Sequence, residues 1–133
     1  MRRVGVVVAG MLLAGTTGAW AHEGHERMAE RAAENTAREQ TLTGEVVDVF
    51  CYLSHGKEGL GMGHAGCAKK CIKSGLPVAI KVGDQLYLAA MGDHTAANDK
   101  LAVLAGQQVK VHGTVMEKDG QHLIAITSVE NAP

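Results

Sequence analysis

The chain has 133 residues, with 13 Lys plus Arg against 14 Asp plus Glu and a formal charge of −1. That length fits one domain, and a near-neutral balance without a basic cluster argues against nucleic acid, whose phosphates are bound by grouped Lys and Arg. With one Phe, two Tyr and one Trp, the core has to be built mainly from Val, Leu, Ile and Ala.

The chain opens with the three parts of a secretory signal peptide. Arg2 and Arg3 give a positive start, residues 4–18 are apolar and small, and Ala19-Trp20-Ala21 offers small residues at the two positions a signal peptidase reads. The apolar run is shorter than the roughly 20 residues of a membrane helix. The expectation is therefore cleavage after Ala21, no stable membrane span afterwards, and a periplasmic or secreted location. Removal of 1–21 takes away Arg2 and Arg3 and leaves a formal charge of −3.

Residues 22–40 are polar, charged and Ala-rich without a sustained apolar face, and read as a mobile polar leader. The domain is expected over 41–130. Residues 41–52 are rich in Val and Thr and read as a strand. Residues 56–66 carry five glycines and read as loop, and 64–74 fit a short helix stopped by Gly75. Two short strands follow at 77–82 and 85–91, joined by the hairpin signal Gly83-Asp84. Thr95 or Asn98 can cap a helix running to Ala105 and closed by Gly106. In 108–118, Val109, Val111, Gly113 and Val115 alternate with Lys110, His112 and Thr114, the pattern of a half-buried strand. Asp119-Gly120 is a second tight turn before a last strand at 121–129. Five strands with a helix between the third and fourth give a β-rich (α+β) fold, a small OB-like five-stranded barrel with a cysteine-bearing helical insertion after the first strand.

That insertion carries the chemistry. Cys51 lies at the end of the first strand, and His64, Cys67 and Cys71 follow at helical spacings of three and four, on one face. Three thiols and an imidazole suit a soft ion, Zn(II) or Cu(I), and not calcium or magnesium, which take oxygen ligands. The expected ligands are Cys51, His64, Cys67 and Cys71, with copper slightly ahead of zinc. His55 and His94 stand as second-tier donors, and Met62 and Met116 as thioethers or simple space-fillers. Cleavage after Ala21 would put His22 at the N-terminus, where its amine and ring can hold one Cu(II), with His25 adding a nitrogen. The bland alternative there is a solvated tail. His112 and His122 read as a surface pair across a tight turn.

Two rival readings use the same cysteines. A disulfide from Cys51 to Cys67 or Cys71 would pin the glycine loop, worth about 3 kcal/mol in loop entropy, and leave one spare thiol. The protein would then be a stapled binding module for a non-metal ligand. A redox pair of Cys67 and Cys71 would make a thiol–disulfide protein, with Lys69, Lys70 and the helix start lowering a thiol pKa. No C-x-x-C-H haem motif, Ser-His-Asp arrangement or phosphate loop stands out, so an enzyme is the weaker expectation. The metal reading implies storage or delivery, with a metal-accepting protein as partner.

The C-x3-C spacing resembles that of Sco-type copper chaperones and the binuclear copper A centre. The thioredoxin-like context and the Met ligand pattern of those proteins are absent, so the fold does not carry over. More broadly, Gly44-Glu45-Val46-Val47-Asp48, Cys51-Tyr52-Leu53, the 64–71 segment, Gly75-Leu76-Pro77-Val78 and residues 106–113 resemble a largely uncharacterised family of small exported bacterial proteins. That resemblance implies one intact domain and transfers no activity.

Overall fold

The computed structural model describes residues 37–133. The expected signal peptide, most of the expected leader, and His22 and His25 lie outside the described residues. Five strands form a closed barrel: β1 (Arg38–Asp48), β2 (Val78–Val82), β3 (Gln85–Met91), β4 (Gln108–Lys118) and β5 (Gln121–Asn131). Their order around the barrel is β1-β2-β3-β5-β4, antiparallel at every seam except the parallel β3–β5 pair. This is the expected small OB-like barrel, and closure removes the sheet edges that short Val-rich strands would otherwise expose.

Alternation along β4 settles which face is inside. Val109, Val111, Gly113 and Val115 are buried, while Gln108, Lys110 and His112 are exposed. With Val46, Ile80, Ile124 and Ile126 they fill a core free of large aromatics. Gly113 is required by close approach. A Cβ there would run into the carbonyl of Ala125 on β5, at the point where the β4–β5 register slips between His112 and Gly113.

Between β1 and β2 the chain makes a helical detour: α1 (Val49–His55), a single 3-10 turn (Gly56–Gly59), the glycine loop, and α2 (Ala65–Lys73). A short third helix, α3 (Asn98–Ala102), sits between β3 and β4. Ala68 and Ile72 of α2 join Leu101 and Ala102 of α3 in the same core as the barrel. Helix α2 stops in a Schellman turn. Gly75 takes φ +98, its N–H reaches the Ile72 carbonyl, and the Leu76 N–H reaches back to Cys71. Among the described residues, no helix is long and apolar enough to cross a membrane.

Three expectations need correction. The first strand begins earlier, at Arg38, so residues 38–40 of the expected leader pair with β4. It also ends earlier, at Asp48, and residues 49–52 are helical although Val49, Phe50 and Tyr52 favour strands. The Asp48 side chain takes the N–H of Cys51 and starts a helix that local β-propensity does not announce. His112 and His122 are not a pair: His112 lies opposite Thr41 and Ser128, and His122 opposite Glu117.

Candidate metal centre

Two helices place the three cysteines. Cys51 sits in the first turn of α1, its N–H donating to Asp48 Oδ1 at 2.6 Å. Cys67 sits in the first turn of α2, where its N–H donates to the His64 carbonyl at 3.0 Å. Cys71 lies one turn further along α2, so Cys67 and Cys71 share a face. The two helices are held to the rest of the domain at several points. Glu45 on β1 accepts the Gly61 N–H from the glycine loop. The carbonyl of Cys51 packs so closely on Gly59 that a side chain there would collide with it. At the far end of α2, the Asn98 side-chain amide donates to the carbonyls of Ile72 and Leu76, each at 2.8 Å.

These supports bring the three sulfurs together. The Sγ atoms of Cys51, Cys67 and Cys71 all lie within 4.8 Å of one another, and Cys51 and Cys71 are 4.0 Å apart. All three are free thiols. A metal holding three thiolates at about 2.3 Å spaces their sulfurs by roughly 3.8–4.0 Å, whether tetrahedral or trigonal. The Cys51–Cys71 separation matches that span, and the three sulfurs, all within 4.8 Å, are compatible with a soft ion. The cluster spans the surface, with Cys51 buried, Cys71 half-buried and Cys67 exposed.

The thiols closest to the interior hold their protons tightly. The Cys51 pKa is pushed up to about 12, first by hydrogen bonding to the Asp48 carboxylate, then by burial and by the charge of Asp48. Cys71 is raised as well, chiefly by burial. A redox nucleophile needs the opposite shift, toward the thiolate.

The histidines are placed differently. His64 is the N-cap residue of α2 and half-buried, with its Nε2 buried and without a hydrogen-bond partner. It is not part of the set of mutually close sulfur atoms. His55 ends α1 and is exposed. His94 is exposed in the turn after β3, at φ +67. Neither belongs to the sulfur cluster. The residue that sequence reasoning missed is Asp48. It is the single buried charged side chain among the described residues, and its Oδ2 has no well-formed hydrogen-bond partner. The signal was present as Asp-x-x-Cys, which repeats the His-x-x-Cys of α2: each helix has a polar cap residue three before a cysteine.

No protein-family model, no curated protein and no solved structure matches the chain.

Proposed function

We propose that this protein is an exported soft-metal-binding protein with a storage or delivery role, binding one copper or zinc ion through Cys51, Cys67 and Cys71. The observation that carries the reading is the convergence of three unbonded sulfurs from two helices, within 4.8 Å of one another. Thiols gathered this closely in an oxidising compartment tend to pair unless something else holds them, and a soft ion is the ligand their chemistry suits. His64 is the candidate fourth donor, since its buried Nε2 has no other partner. The exposure of Cys67 favours exchange over permanent structural closure, because it leaves this residue open to an incoming thiol of a metal-accepting protein.

The test is metal analysis of untagged protein purified under reducing conditions. About one soft metal per chain, lost in Cys67→Ser and Cys51→Ser, is the expected result. Absence of metal, together with an intramolecular disulfide and one free thiol in protein purified in parallel without reductant, would favour the stapled binding module. Rapid reduction or oxidation of disulfide substrates would favour a thiol–disulfide protein.

A further inference from the structure

The chain's single Phe is not in the core. Phe50 is 61% exposed, Leu53 three residues further along α1 is 70% exposed, and Met62 in the glycine loop is 67% exposed. The other large apolar side chain left exposed among the described residues is Val103, just after α3. Exposed apolar residues scattered singly are ordinary on a protein surface, whereas a group of them marks a contact. These four share one end of the barrel. The detour leaves β1 and enters β2 there, with Asp48 opposite Val78. The approach to β4 lies at the same end: the Gly106 N–H reaches the Val46 carbonyl, and a side chain on Gly106 would collide with Gly61 and Ala65.

That end is also basic. Residues 49–77 hold Lys57, Lys69, Lys70 and Lys73, all exposed, against Glu58, a formal excess of +3. The other described residues hold five Lys plus Arg against nine Asp plus Glu, a formal −4. Helix α2 carries three of the lysines, and the sulfur cluster ties it to α1, which carries Phe50 and Leu53.

We propose that this end of the barrel is a membrane-surface docking face, which lays Phe50, Leu53 and Met62 among the headgroups of an anionic phospholipid bilayer while the lysines of the detour take the lipid phosphates. Apolar side chains that enter the headgroup region beside a cationic rim are what such surface binding requires. An acidic protein would also satisfy the lysines, but it would have to match the shape of two helices, a loop and a turn. A fluid bilayer needs no matched shape, and lysine stems can lie along the apolar side chains while their ammonium groups reach the phosphates. The proposal does not depend on a bound metal.

The experiment is co-sedimentation of reduced protein with large vesicles, either phosphatidylglycerol and phosphatidylcholine in equal parts or phosphatidylcholine alone. The chain beginning at His22, the expected product of export, is used, because the apolar run at 4–18 would itself enter lipid. Wild type is expected to sediment with the anionic vesicles and not with phosphatidylcholine, and high salt should weaken the binding. Phe50→Ser with Leu53→Ser should weaken it about 10-fold or more. Lys69→Gln with Lys70→Gln should weaken it about 25-fold, at about fivefold for each lysine near the surface. Lys118→Gln, at the opposite end of the barrel beside the β4–β5 turn, should bind as wild type does. Far-UV circular dichroism checks that each variant is folded, and the apolar and lysine variants test the face independently. Equal binding to both vesicle types, unchanged binding in both double variants, or an equal loss in Lys118→Gln would overturn the proposal. Failure of wild type to bind either vesicle would overturn it too, and leave this end of the barrel to a protein partner.

Discussion

Asn98 is the brace on which the position of Cys71 depends, and its removal has a size that follows from the structure. Its amide donates at 2.8 Å to Ile72 O and at 2.8 Å to Leu76 O, tying α3 to the end of α2. Ile72 O keeps a second bond, from the Gly75 N–H, whereas Leu76 O depends on Asn98. At about 1 kcal/mol per bond, Asn98→Ala should lose about 2 kcal/mol. For a domain of this size that corresponds to a fall in Tm of roughly 8–16 °C. Asn98→Asp should be worse by a further 1–3 kcal/mol or so, since an acceptor replaces the donor and faces two carbonyl oxygens. The assay is urea denaturation followed by circular dichroism on reduced, metal-free protein, with the m-value checked for constancy. The reasoning is refuted if Asn98→Ala stays within about 0.5 kcal/mol of wild type, or if Asp is tolerated as well as Ala.

Other consequences can be measured in the same protein. Gly113→Ala should destabilise the barrel by about 1–3 kcal/mol or more, as an overpacked site, read from thermal melts, because its Cβ meets the Ala125 carbonyl. Cys67→Ser should leave metal-free stability within about 0.5 kcal/mol, the usual range for an exposed position, while abolishing tight metal uptake. The raised pKa of Cys51 sets a pH dependence for the reduced, metal-free fold. The unfolded thiol releases its proton near 9.0 and the folded one near about 12, so the contribution of this group is complete below pH 9 and declines as pH rises through that interval. Urea midpoints measured upward from pH 8 should show the decline, and Cys51→Ala should flatten it. Metal loading at neutral pH should release protons, detectable with a pH indicator in weak buffer, since a bound thiolate has to give up the proton it carries in the free protein.

The barrel was legible because β-strand periodicity is a local signal. In β4 the side chains alternate residue by residue between core and solvent, and five strands with a helix between the third and fourth then suggested closure. The convergence of Cys67 and Cys71 was legible too, from helical spacing alone. What could not be read was the helix at Val49. Its start depends on one side chain accepting one N–H, in a segment whose composition favours extended chain. Missing that helix hid Asp48, whose burial and lack of an ion-pair partner arise only when the detour folds back on the barrel. His94 shows the converse: a histidine after a strand looks available, yet it occupies an exposed left-handed turn fixed by the Asp93 side chain bonding to Thr95.

The detour that carries the cysteines leaves and rejoins the sheet at adjacent places. Asp48 lies opposite Val78 in the β1–β2 register, and the Val49 N–H still reaches the Pro77 carbonyl. In topological terms residues 49–77 are one long hairpin connection. The connection is nevertheless fastened to the barrel along its course, through Gly61 on Glu45 of β1 and through Ala68 and Ile72 in the shared core. An engineer re-spacing the thiols for a different ion would have to keep Gly61, Ala68 and Ile72 in place, because they moor the sulfur-bearing segment to the wall behind it.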